Sequence, residues 1–136
     1  MDGMDKNKTF LIVGLGLLGG KYAQVLSQKG YRVTGITHSQ ATLDYALQHD
    51  YIRAGKNADF EDLIRAADCI VFGLYPTVLL EWVAQYGQYI RPGIMVTDVS
   101  GVKRGVVEPV QAALPDGVEF IASHPMAGRE TSGIAH

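Results

Sequence analysis

Short segments far apart in this chain carry the residue types that could do chemistry. One is Ser123-His124-Pro125, where a histidine closes an apolar run. An imidazole with an ordinary pKa of ~6.5 is available as a neutral base near neutral pH. The proline that follows biases His124 toward extended backbone, which fixes its direction. Another is Gly14-Leu15-Gly16-Leu17-Leu18-Gly19, a G-x-G-x-x-G pattern. In the right context such glycines turn a strand tightly into a helix whose free N–H groups take a pyrophosphate. A dinucleotide and a proton acceptor facing each other across one crevice would make a dehydrogenase rather than a plain nucleotide binder.

These residues need a scaffold that delivers them to one edge, and the apolar pattern supplies it. Strands are expected at 10–13, 32–36, 51–53, 68–73, 94–98 and 118–122. Within the fourth of these, 69–73 is continuously apolar, as in a strand covered on both faces. Helical periodicity marks 17–29, 40–48, 60–67, 77–90 and 103–114. Gly30 is expected to end the first helix, Asp59 to cap the third and Thr77 to cap the fourth. Pro109 must begin the regular part of the last helix or kink it. Strands alternating with helical crossovers predict an α/β fold, a Rossmann-type doubly wound parallel sheet of order 3-2-1-4-5-6. Strand ends on one edge of such a sheet converge even when distant in sequence.

The glycine motif has the context it needs: a strand before it, an amphipathic helix after it, a second strand at the right distance. Gly14 permits the turn, Gly16 lets the backbone approach the pyrophosphate, and Gly19 lets helix and strand pack closely. The end of the second strand chooses the cofactor. NAD sites usually place an acid there to bind the ribose 2′-hydroxyl. This chain has Thr37-His38-Ser39 and no acid until Asp44. Hydroxyls and an imidazole tolerate a 2′-phosphate, so NADP is the expected cofactor and NAD the alternative. Tyr75-Pro76-Thr77 at the end of strand four is expected to line the same site.

Composition sets the outer limits. The chain has 136 residues, 47% of them hydrophobic and 19% charged, with a net charge of −2. No basic patch points to nucleic acid, and no apolar run approaches the ~20 residues a membrane helix needs. Residues 1–8 lack the apolar core of a signal peptide, and the single cysteine, Cys69, allows no internal disulfide. A cytoplasmic protein without metal is expected. The segment after Gly128 shows no element of its own, so residues 1–136 read as one domain cut from a longer protein.

Ser123-His124-Pro125-Met126-Ala127-Gly128, the Glu130 and Ser132-Gly133 beyond it, and Thr97-Asp98 with Val102-Lys103 together resemble the nucleotide-binding domain of the prephenate and arogenate dehydrogenases of tyrosine biosynthesis. The resemblance runs from Phe10 to Gly133. It implies that His124 hydrogen-bonds the C4 hydroxyl of the substrate and accepts its proton. Hydride then passes to the nicotinamide, and carbon dioxide is lost as the ring becomes aromatic. The family commonly has a serine where this chain has Gly101; Ser100 stands one position earlier as the candidate hydroxyl. Ser123 falls beside the substrate. Arg129 and Glu130 fall where the family lines the pocket mouth, though a solvated ion pair is an equal reading. Lys103 could anchor a carboxylate or phosphate, or simply open the helix that follows. The resemblance also implies a homodimer, formed by a helical second domain that supplies an arginine for the substrate carboxylates. That domain is absent from this chain, which is expected to be inactive by itself.

Two other readings compete. One is a different Rossmann dehydrogenase, of the hydroxyacid or imine-reductase type, which would not be expected to carry the Ser-His-Pro-Met-Ala-Gly run. The other is a stand-alone NADP(H)-binding regulatory module, against which the intact His124 motif argues.

Overall fold

The computed structural model describes residues 7–99 and 104–122. The strands are β1 (Thr9–Val13), β2 (Arg32–Ile36), β3 (Ala54–Lys56), β4 (Cys69–Phe72), β5 (Met95–Asp98) and β6 (Glu119–Ala122). The helices are α1 (Leu17–Gln28), α2 (Gln40–Gln48), α3 (Glu61–Ala66), α4 (Pro76–Tyr86) and α5 (Arg104–Ala113). All strand pairs are parallel, in the expected order β3-β2-β1-β4-β5-β6.

Alternation along the central strands assigns the two faces. Leu11 and Val13 of β1, with Ile70 and Phe72 of β4, point toward Ile64 of α3, Leu79 of α4 and Val110 of α5. Phe10 and Ile12, with Cys69 and Val71, point the other way, toward Ala23 of α1 and Leu43 of α2. Both faces of β1 and β4 are therefore buried, which is why their sequences read as unbroken apolar runs. Cys69 belongs to this core, and burial pushes its thiol up to about 11. On the α1/α2 side, Met95 of β5 and Ile121 of β6 remain 36% and 42% exposed.

Local chemistry explains most element ends. Gly30, at φ +91°, closes α1: its N–H donates to the Ser27 carbonyl, and the Tyr31 N–H donates to that of Leu26. This double bond pattern needs a left-handed residue at its centre. The Ser39 hydroxyl caps α2 by accepting from the Thr42 N–H at 3.1 Å.

Several expected boundaries are corrected. The third strand is 54–56, not 51–53; Ile52 is a buried core residue ahead of it. Asp59 does not cap α3. It sits at φ +52°, and Phe60 occupies the cap position without a side-chain bond. Thr77 does not cap α4 either: Tyr75 holds that place and Pro76 opens the helix. Proline suits a first turn because its missing N–H would have no partner there. That helix stops at Tyr86 and a 3₁₀ turn, Gly87–Tyr89, completes the segment. Pro109 lies inside α5 rather than at its start.

At the other end of the strands, Asp68 ties three segments together. Its Oδ2 accepts from the Thr9 N–H at 2.8 Å, and its Oδ1 accepts from Arg91 Nη2 at 2.7 Å. The same Arg91 nitrogen donates to the Ala67 carbonyl at 2.6 Å. The Thr9 N–H, helped by Arg91, holds the Asp68 carboxyl below its ordinary pKa. A depressed carboxylate stabilises the fold above its unfolded pKa and loses that contribution as pH falls through the folded value. Asp68→Asn is expected to cost roughly 1 kcal/mol near neutral pH, because both groups are partly exposed. Urea denaturation should show the gap from wild type narrowing as pH drops below roughly 4.

Candidate cofactor site

One row of the sheet sets the geometry. Ile36, Val13, Phe72, Asp98 and Ala122 are successive register partners across β2, β1, β4, β5 and β6. The residues after β1, β4 and β5 leave the sheet from this row. Gly14 N–H donates to the Ile36 carbonyl at 2.8 Å, Gly73 N–H to that of Val13 at 2.8 Å, and Val99 N–H to that of Phe72 at 3.0 Å. The loops therefore start from one line at the carboxyl edge, where open α/β sheets bind ligands.

The glycines at this edge have separate jobs. Gly14 turns the chain at φ +94°, a region that side chains disfavour. A Cβ on Gly19 would overlap the Gly14 carbonyl oxygen, so α1 rests directly on the β1 turn. Gly73 completes the contact: its Cβ would lie 2.9 Å from that same oxygen and 3.2 Å from Gly19 Cα. Gly16 differs, because a Cβ there would meet nothing within 4 Å. It faces open space at the head of α1, whose first turn carries no acidic residue and no side-chain cap. The free N–H groups and the positive end of the helix dipole are left for an anion.

The loops enclose a crevice of about 300 Å³. One wall is backbone and small polar groups: Gly14, Leu15, Gly16, Thr37, His38 and Ser39. The other is apolar: Ile36, Phe60, Leu74, Val78 and Trp82, with Tyr75 and Gly73 at the rim. Trp82 is held by Phe72 and Tyr86, each with ring centroids 5.2 Å away. Among the described residues, no Asp, Glu, Lys or Arg lines the crevice. Asp44, the first acid after β2, is absent from the lining and accepts from the Gln40 side chain at 2.8 Å.

Of the residues singled out from sequence, Gly14, Leu15, Gly16, Thr37, His38, Ser39 and Tyr75 meet around this crevice. Gly19 supports it from beneath. Leu17, Leu18 and Pro76 place their backbone in the first turns of α1 and α4, while Thr77, on α4, is not part of the lining. The Ser39 Oγ is already an acceptor as a helix cap, and Thr37 Oγ1 accepts from the Ser39 N–H at 3.4 Å. Each hydroxyl keeps a proton to donate. Ser100, Lys103, Ser123, His124, Arg129 and Glu130 lie outside the described residues.

Sequence reasoning missed Gly73 and the apolar wall. Gly73 ends a buried strand where a neighbouring glycine turn must pass, which is its only sequence signal. Trp82 reads as one more residue of a buried helical stripe. Among the described residues no cluster of metal-ligating side chains occurs, and no helix is long and apolar enough to cross a membrane.

Residues 22–136 match the family described as prephenate dehydrogenase, nucleotide-binding domain. The chain is 33% identical over 131 residues to the prephenate dehydrogenase of Bacillus subtilis (strain 168), covering 93% of this chain and 35% of that protein. It thus spans about 35% of that curated relative's length. Among solved structures, the prephenate dehydrogenase from A. aeolicus in complex with hydroxyphenyl propionate and NAD+ superposes with a TM-score of 0.79. That match has 24% identity and covers 93% of this chain and 44% of the other. Synechocystis arogenate dehydrogenase gives 0.71 at 25% identity, covering 77% and 37%.

The glycine geometry separates two kinds of substitution. Gly73→Ala forces backbone apart and should destabilise the domain by about 1–3 kcal/mol, as overpacking does. Gly16→Val should leave the melting transition near wild type and abolish nucleotide binding. Denaturation and calorimetric titration of both variants check this; a Gly16→Val protein that binds normally would make the turn purely structural.

Proposed function

We propose that this chain, which belongs to the prephenate dehydrogenase family and is its nucleotide-binding domain, holds the nicotinamide cofactor of an enzyme that oxidises prephenate or arogenate. The observation that carries this reading is the crevice at the carboxyl edge, with an uncapped helix head on one side and an apolar slot on the other. Gly14, Leu15, Gly16, Leu17, Leu18 and Gly19 bring backbone N–H groups to the pyrophosphate. Ile36, Phe60, Val78 and Trp82 suit a planar base. Tyr75, Pro76 and Thr77 flank the cofactor from the start of α4.

The cofactor is NADP in this proposal, with NAD as the alternative. Support comes from the crevice lining, in which Thr37, His38 and Ser39 replace the usual acid and, among the described residues, no carboxylate stands to repel a 2′-phosphate. When bound, the nicotinamide supplies the hydride acceptor. His124 follows Ala122, the β6 member of the edge row, by two residues. It takes the proton from the substrate hydroxyl. Ser100 is the accompanying hydroxyl, and Ser123, Lys103, Arg129 and Glu130 form the substrate side of the site. The full-length enzyme adds a helical domain that closes the site and pairs two copies, and it works in the cytoplasm.

Calorimetric titration is expected to show tighter binding of NADP(H) than of NAD(H). Thr37→Asp should reverse the order, since a carboxylate gains the 2′-hydroxyl and repels the phosphate. Equal or tighter NAD binding by wild type would remove the NADP assignment and leave the fold untouched.

In a full-length protein carrying this domain, His124→Asn should lower kcat by ~10²–10⁴-fold with cofactor affinity near wild type. Asparagine keeps a hydrogen bond but cannot take a proton near neutral pH. Turnover within a few-fold of wild type would eliminate His124 as the base.

A further inference from the structure

A second cleft, of about 250 Å³, opens between α1 and α2 beside the cofactor crevice. Leu15 and Gly16 line both, so the two spaces adjoin at the glycine turn. Lys21 lines the second cleft, as do Thr42 and Tyr45 on the opposite wall. It is the only lysine or arginine lining either space among the described residues.

A 2′-phosphate carries about −1.5 to −2 charges near neutral pH. The hydroxyls of Thr37 and Ser39 can donate to it but do not balance that charge. Lys21 is placed to do so. It is the fifth residue of α1, so its Cα stands about 6 Å along the axis from the first. Helical side chains lean toward the N-terminus, and a lysine stem covers a comparable distance. Gly16 and Gly20, one turn apart, line this cleft without side chains. Lys21 forms no ion pair among the described residues. The facing wall is Thr42, Tyr45 and Ala46 of α2, none of them an acid. Asp44, on the same helix, is bonded to Gln40 and lines neither space.

We propose that Lys21 is the cation that recognises the cofactor 2′-phosphate, a specificity-determining contact supplied from α1 across the cleft rather than from the β2–α2 loop. This rests on the reading that the domain takes NADP. The test is calorimetric titration of the 136-residue chain and its Lys21→Gln and Lys21→Arg variants with NADP, NAD, 2′,5′-ADP and 5′-AMP. Lys21→Gln should weaken NADP and 2′,5′-ADP about tenfold, the scale of one charged hydrogen bond, and leave NAD and 5′-AMP unchanged. Lys21→Arg should retain most of the affinity. Equal loss for NADP and NAD would assign Lys21 to the pyrophosphate or to folding and overturn the inference. Unchanged NADP binding in Lys21→Gln, with wild type still preferring NADP, would overturn it while leaving the NADP reading intact. A wild type that binds NAD as well as NADP, or binds neither, would remove the NADP reading and this contact with it.

Discussion

The rest of the molecule depends on the contact between three backbones, at Gly14, Gly19 and Gly73. There the β1 turn, the first turn of α1 and the end of β4 touch without side chains between them. That closeness lets α1 begin directly above the sheet edge, with its N-cap residue Gly16 lining the crevice. It also draws the β4–α4 loop against the glycine turn, so that Leu74 and Tyr75 border the same space as Gly14 and Gly16. A single methyl group at Gly19 or Gly73 would push the helix head or the β4 end away from the turn. Two kinds of work are thus divided among adjacent glycines. Gly14, Gly19 and Gly73 build the junction, and Gly16 leaves the room beyond it.

Among the described residues, the crevice offers an anion oriented dipoles and no cation. Its lining holds no Asp, Glu, Lys or Arg among the described residues. The field comes from oriented peptide dipoles at the head of α1, which act over the first turn only. Such a site distinguishes ligands by where their negative charge sits. A pyrophosphate at the helix head would be met by dipoles, whereas charge further out along the β2 end would meet neutral donors from the loop and depend on the neighbouring cleft for a countercharge.

How much of this the sequence discloses follows from where the physics is local. The continuous apolar runs of β1 and β4 and the glycine turn between strand and helix are local signals, so the sheet order and the position of the crevice could be read directly. β3 could not. Its residues are Ala54, Gly55 and Lys56, with no strand preference, while Tyr51-Ile52-Arg53 just ahead looks more strand-like. The reason is tertiary. A Cβ at Gly55 would lie 2.6 Å from a Leu43 methyl and 2.7 Å from an Ile52 methyl, so the strand is defined by what packs over it. The α4 cap was legible in principle, since proline favours the first helical position, but Thr77 is also a good cap residue and masks it. The apolar wall was not legible: Phe60 and Trp82 carry the same pattern as any core residue.

The register row at the carboxyl edge has a consequence for how the chain can change length. A one-residue deletion within β1, β4 or β5 would exchange the two faces of that strand and draw its loop back from the shared line. The opposite edge carries no such demand. Its turns, at Lys29-Gly30, Pro92-Gly93 and Asp116-Gly117, only reverse the chain, and two of them are bonded to each other through Gly93 N–H and the Gly117 carbonyl. Lengthening a flexible loop costs only ~0.6 kcal/mol per doubling. Extra residues at these turns would lie on the far side of the sheet from the crevice, but at Lys29-Gly30 they would also cost the cap bonds of Gly30 and Tyr31.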